Sequence, residues 1–170
     1  MSLTVKVSGL REVNDFLTRE LPAKVAATAI AQALRMAAKP IRDAARSNAV
    51  ALGGSGALAL AISAWRTKKN VKVGTDTAAS VEVGPRRGNK AALARYYAFY
   101  GKKPTPKMLQ GGIRHGHLVE WGTKRTAPRR FMQRAFDAQA QNGVAIFERE
   151  IGAVVEKAAL NYAAKNGSRQ

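Results

Sequence analysis

The sequence has no cysteine. That excludes a disulfide scaffold and any thiolate metal site, and it suits a reducing compartment. Histidine is almost as scarce, with His115 and His117 the only two. A His-x-His pair on a strand would set both rings on one face, half of a metal site. Structural zinc needs four ligands, Glu120 is the only nearby carboxylate, and Arg114, Lys124 and Arg125 would oppose a cation. No metal and no cofactor is expected. Acids are few as well, eleven Asp and Glu in 170 residues. Acid–base hydrolysis uses two carboxylates with split proton affinities, or a base beside a nucleophile. Glu120 has no Asp close to it in sequence; Asp43, Asp76 and Asp137 are distant. No catalytic residue is therefore assigned, and Glu120 is expected to pair with arginines in a structural role. Long apolar runs are also missing. The Ala-rich stretch is broken by Lys24, Gln32, Arg35 and Lys39, so it cannot offer lipid ~20 uninterrupted apolar residues. The opening MSLTVKVSGL lacks the basic start and apolar run of a secretory signal. Gly53, Gly54 and Gly56 are not followed by the Lys-Ser or Lys-Thr of a phosphate-binding loop.

What is present in excess is positive charge. Twenty-nine Lys and Arg give a formal net charge of +18 and a pI near 11.0. Such an imbalance bears on partners, DNA or an acidic protein surface, and not on fold. The densest basic region runs from Arg86 to Arg134, against the single acid Glu120. Within it Arg86, Arg87, Lys90, Lys102, Lys103, Lys107, Arg129 and Arg130 are the candidate contacts to a polyanion or partner. Tyr96, Tyr97, Phe99 and Tyr100 interleave with them. Cations neutralise phosphates and aromatics stack on bases, yet no zinc-finger spacing, basic-leucine heptad or RNP-like sequence occurs. Charge alone leaves DNA contact and protein contact equally open.

With apolar content of 46%, a chain of this length supports one globular domain. Leu3, Val5 and Val7 alternate with polar residues, a half-buried strand. A short helix over about 10–20 follows, then a longer one from about Pro22 to Asn48. Val25, Ala29, Ala33, Ala37 and Ile30, Leu34, Ile41, Ala45 recur there at helical spacing. Pro40 should kink that helix or end it. The alanine stripe suits either close packing between subunits or plain helix propensity with packing inside the chain. Residues 57–65 read as a short helix or the lead-in to a strand. Val71–Thr75 and Ser80–Gly84 read as the two strands of a hairpin. Periodicity is poor from 86 to 112, apart from one short helix over Ala91–Tyr100. Gly143 should weaken or split the C-terminal helical region. Its last part, about 144–164, sets Phe147, Ile151, Val154, Val155, Ala158 and Tyr162 on one side. Residues 165–170 read as a frayed tail.

The most distinctive stretch is GHLVEWGTKRTAPRRFMQRAF, from Gly116 to Phe136. It reads as a short apolar element carrying Glu120, a Gly-Thr break, a basic loop, and a helix opened by Pro128 and capped by Thr126. Phe131, Met132, Ala135 and Phe136 are that helix's apolar positions. Trp121 and Phe131 read as core anchors, and Gly122 as a glycine needed for its backbone conformation.

Leu118, Val119, Glu120, Trp121, Gly122 and Thr123, with Pro128, Phe131 and Ala135, form a pattern that resembles the gene-product-ten-like tail-component family of long-tailed DNA bacteriophages. The strand ending at Gly9-Leu10, the long helical region and the Gly56–Ser63 segment resemble that family's N-terminal half. The resemblance implies a small neck or head–tail joining protein. The expected fold is α+β, with long N- and C-terminal helices on a small, mainly antiparallel sheet. A single domain over residues 1–164 would carry a basic, mobile insertion at about 85–112. The implied function is a virion structural subunit, not an enzyme, assembling into a ring between capsid portal and tail. Its partners would be itself and phage connector and tail proteins, with non-specific DNA contact and no membrane; its place would be the virion, and the host cytoplasm during assembly. The alternative is an independent basic nucleic-acid-binding protein.

Overall fold

A computed structural model describes residues 23–66, 72–73, 76–77, 79–87, 89–110, 113 and 115–167. The strand over 3–7 and the helix over 10–20 lie outside them. In order, the elements are α1 (Ala23–Ala51), α2 (Ala57–Ala61), β1 (Ile62–Arg66), β2 (Lys72–Val73), β3 (Asp76–Thr77), β4 (Val81–Pro85), α3 (Lys90–Phe99), a 3₁₀ turn (Met108–Gln110), α4 (Gly116–Trp121) and α5 (Phe131–Gly167). The class is α+β, with long N- and C-terminal helices and very small sheets. Among the described residues, no helix is long and apolar enough to cross a membrane.

Two compact units make up the chain. The first draws on described residues within Met1–Ala38, Trp65–Glu82 and Gln141–Gln170, the second on Lys39–Ala64 and Val83–Ala140.

In the first unit, Ala26, Ala29, Ala33 and Ala37 of α1 pack with Phe147, Ile151, Val154 and Val155 of α5. Both sets recur every three or four residues, so each falls on one face of its helix. The alanines carry no side chain beyond Cβ, leaving room for the larger residues opposite. The stripe thus packs within the chain. Ala158 joins the edge of this core, whereas Tyr162 is 37% exposed. In the same unit β2 and β3 pair antiparallel, Lys72 opposite Thr77 and Val73 opposite Asp76.

In the second unit, Ala45 and Ala49 continue the buried face of α1 against Leu58, Ile62, Leu93, Ile113 and Phe131. Phe131 is 1% exposed, and burial of such a side chain contributes ~2–3 kcal/mol. Polar side chains tie the segments together. The Arg46 guanidinium donates to the Ile62 carbonyl at 2.8 Å, and Asn48 donates to that of Phe131 at 3.0 Å. Asn89 caps α3 by accepting from the Ala92 N–H, while its amide donates to the Leu60 carbonyl.

Three expectations are corrected. The helix does not stop at Pro40: α1 runs unbroken from Ala23 to Ala51 with Pro40 inside it. An internal proline costs ~3 kcal/mol, and burial of Ala37 and Ala38 before it and of Ala45 and Ala49 after it offsets that. Gly143 does not split the C-terminal region, since α5 is one helix of 37 residues; a mid-helix glycine costs only ~1 kcal/mol, less than burial of Phe147 and Ile151 supplies. The hairpin joining 71–75 to 80–84 does not form. Instead β4 pairs with β1, and β2 pairs with β3. Alternation marks a strand and its faces, and Val83 does pack on the core, but it cannot name the partner strand. Residues 57–66 are both readings in series, a five-residue helix and then a strand. The short helix expected over Ala91–Tyr100 is α3, whose Ala92 and Leu93 are buried.

Candidate functional site

The signature stretch forms a compact joint in the second unit. Its first part is helical, not extended: α4 spans Gly116–Trp121, and Gly116 and Glu120, one turn apart, are its buried residues. Gly116 permits this closeness, because a Cβ there would lie 3.2 Å from both Leu58 Cδ1 and Pro85 Cγ. With 116 and 120 turned inward, residues 117, 118 and 121 face outward on a 3.6-residue repeat. Trp121 is accordingly 55% exposed and Leu118 43%. The expectation of Trp121 as a core anchor is corrected on that ground, while Phe131 does occupy the core.

Helix α4 ends at Gly122, with φ 76° and ψ −175°. A Cβ there would come within 2.6 Å of the Thr126 carbonyl oxygen and 2.8 Å of the Pro128 nitrogen. Both obstacles are backbone, so only glycine fits. The chain then turns back through a bridge between Thr123 and Thr126, the Thr123 N–H donating to the Thr126 carbonyl at 2.9 Å.

The returning stretch of chain closes both helix ends at once. The Arg129 N–H donates to the Val119 carbonyl at 2.9 Å, and that of Arg130 to the Glu120 carbonyl at 3.2 Å. These satisfy two carbonyls that the end of α4 would otherwise leave unpaired. In the opposite direction the Glu120 carboxylate accepts from the Met132 N–H through Oε2 and the Gln133 N–H through Oε1, both at 2.9 Å. Those are the second and third amides of α5, the pair an N-cap side chain serves. The carboxylate also lies at the positive end of the helix dipole.

This geometry corrects three more expectations. Pro128 does not open the helix; α5 begins at Phe131, because Arg130 just before it has a positive φ, outside the right-handed helical range. Thr126 does not cap it, since Thr126 pairs with Thr123. Arg130 holds the capping position, its carbonyl accepting from Arg134 at 3.0 Å, but an arginine side chain has no acceptor to offer. Its φ is 48°, the only positive φ at a non-glycine among the described residues, a conformation that costs ~1–3 kcal/mol. Glu120, at 7% exposure the buried charged residue of this core, supplies the missing acceptor. Its partners are backbone amides and not the arginines expected. A carboxylate at that spacing on a helical turn was the available signal; its target, twelve residues on, lies in no local pattern.

His115 sits at the N-terminus of α4 and His117 is exposed on its outer side. The strand-based picture of two rings on one face is corrected, because on a helical turn positions two apart point away from each other. The His115 ring lies against Tyr96, centroids 5.3 Å apart. Burial, and second the nearby charge of His117, hold its pKa below the usual histidine value. Among the described residues no three His, Cys, Asp or Glu side chains cluster as a metal site would need.

Beside the joint lies a groove of about 440 Å³ lined by Leu52, Leu58, Phe99, Tyr100, Leu118 and Arg129, among others. Arg86, Arg87, Lys90, Lys102, Lys103, Lys107, Arg129 and Arg130 are all exposed in this unit. None forms an ion pair among the described residues, whose salt bridges are Arg42–Asp43 and Arg149–Glu150. Sixteen Lys and Arg fall in the segments of this unit, against the three acids Asp43, Glu120 and Asp137; the rest of the chain holds thirteen against eight.

A family model described as "Bacteriophage HK97-gp10, putative tail-component" matches residues 11–122. The match covers α4 through Gly122 and stops before Thr123, Pro128, Phe131 and Ala135. No curated protein and no solved structure matches the chain.

Proposed function

The chain belongs to that bacteriophage tail-component family, a structural protein of the virion, and from this we propose that it is a neck or head–tail joining subunit which assembles into a ring between capsid portal and tail. The observation that carries the reading is the family match over residues 11–122. The joint around Glu120 supports it. There the chemically distinctive residues of the signature are spent on backbone conformation and capping, which is what a shaped building block requires. Glu120 has both oxygens engaged by amides, so no lone carboxylate stands ready for proton transfer, and we assign the chain no enzymatic role.

The exposed cations of the second unit are the proposed contacts to neighbours: Arg86, Arg87, Lys90, Lys102, Lys103, Lys107, Arg129 and Arg130. Their partners are connector and tail proteins, with DNA in the assembled channel as a second, non-specific one. Assembly in the host cytoplasm precedes incorporation into the particle. A phage lacking this gene tests the proposal directly. Capsids filled with DNA and separate tails should accumulate unjoined, and joining should return when purified protein is added. Normal particles from the deletion would overturn it. An independent nucleic-acid-binding protein would instead show a sequence or structure preference for DNA that survives moderate salt, since charge-driven affinity alone falls steeply with salt.

A further inference from the structure

The groove beside the joint is apolar inside and cationic at its edge. Phe99 and Tyr100 are each 58% exposed and Leu118 is 43% exposed. Arg129 lines it, and the exposed Lys102 and Lys103 follow closely on Tyr100 in the chain. No acidic side chain is among the lining residues. Large apolar side chains clustered at an open surface mark an interaction site. Two copies of this face cannot pair with each other, because like charges would meet across the contact. The occupant must bring an apolar anchor together with negative charge.

The first unit offers such a surface. On the outward side of α5, Glu156 and Leu160 stand one turn apart, and both are exposed. Leu160, at 65%, is the most exposed large apolar residue described. Glu156 forms no ion pair among the described residues. One turn before it, Gly152 has open space where a Cβ would be, so an approaching ring or backbone meets no obstacle there. Glu148, another turn back, is also exposed. Residues four apart are neighbours on a helix surface, so Gly152, Glu156 and Leu160 follow one another along it as a small, an acidic and an apolar position.

We propose that α5 of one copy docks into the groove of a second copy, Leu160 entering among Phe99, Tyr100 and Leu118 while Glu156 pairs with Arg129. The contact joins unlike surfaces, so a pair of copies still has one groove and one helix face free for further copies, the pattern that generates rings or filaments. It supplies the self-contact that the joining role requires and rests on that reading.

The test is a charge exchange on the full-length protein, followed by sedimentation velocity and native mass spectrometry across a concentration series. Arg129→Glu and Glu156→Arg should each weaken self-association about tenfold or more, as close interfacial charge pairs do. The double variant should recover most of the loss, and Leu160→Asp should abolish association. All of these positions are exposed, so melting temperatures should stay close to that of the parent protein, which keeps the readout about docking. Unchanged association in the single variants, no recovery in the double variant, or a parent protein that is monomeric throughout would each overturn the proposal. Incorporation into particles, scored in parallel, separates the two ideas. A monomer that still enters and joins particles sinks the docking and leaves the joining role standing. A self-associating chain that joins nothing does the reverse. Self-association that is intact in Arg129→Glu, with loss of binding only to DNA or to another tail protein, would assign the groove to that other partner instead.

Discussion

Ala33 and Glu120 show how differently the two units are held. Ala33 is fully buried in the first unit, where two long helices meet along repeating apolar faces whose packing is non-directional. Glu120 is buried in the second unit, and there the order depends on particular hydrogen bonds: from the Met132 and Gln133 amides to the Glu120 carboxylate, from Arg129 to the Val119 carbonyl, and from Arg130 to the Glu120 carbonyl. The first arrangement tolerates changes of side chain as long as volume and face are kept. The second does not, because its donors and acceptors each have one geometry that serves. The charge is distributed in the same uneven way, with most of the net positive charge in the second unit. The unit with the more exacting backbone is also the one that presents the groove.

The contrast breaks most sharply at Gly122. Gly122→Val should cost about 4 kcal/mol or more, since it adds left-handed strain to a clash with backbone atoms. A thermal melt within a degree or two of the parent protein would contradict the joint as described. Ile151→Ala in the first unit should cost about 3 kcal/mol through cavity formation, and Ile151→Leu much less; a directional interaction there would penalise both. Glu120→Ala should cost about 2 kcal/mol in chemical denaturation, from the lost cap and two amides left unserved. Glu120→Gln keeps only one good acceptor and should fall between Glu120→Ala and the parent. Equal stability of all three would remove the cap from the account.

Gly152→Ala, next to Ile151 in sequence, should do the opposite of its neighbour. It lies within a helix with open space around it, so alanine should raise stability by about 0.5–1 kcal/mol. The smallest effect concerns pH. His115 has its pKa lowered in the folded protein, so the unfolded chain binds the proton more readily. Stability is then full above the ordinary histidine value and declines as the pH falls from there toward the folded-state value. The melting temperature should drop between about pH 7.5 and pH 5.5, and His115→Gln should reduce that drop. An identical pH profile in the variant would show that other groups carry it.

Periodicity alone made much of the first unit legible. The spacing of Ala29, Ala33 and Ala37, and of Phe147, Ile151, Val154 and Val155, marks two helix faces, because burial repeats every three or four residues. The family was legible too, from Leu118 through Gly122. In the second unit local rules assigned the right residues to the wrong tasks. Pro128 and Thr126 have the chemistry to open and cap a helix, and neither does so here. Trp121 has the size of a core residue and points outward. Alternation over Val81–Gly84 marked a strand but suggested the wrong partner.

By itself, then, the chain of residues determined that long helices form, which of their faces are apolar and that positive charge dominates; propensity, period and charge act over a few neighbouring positions and are written locally. Only the tertiary structure decided that a carboxylate on one helix closes the start of another twelve residues later, that β4 pairs with β1, and that Phe99, Tyr100 and Leu118 line one groove. Each of these depends on which distant groups are brought within hydrogen-bond or van der Waals reach, and that is settled by the packing of the whole.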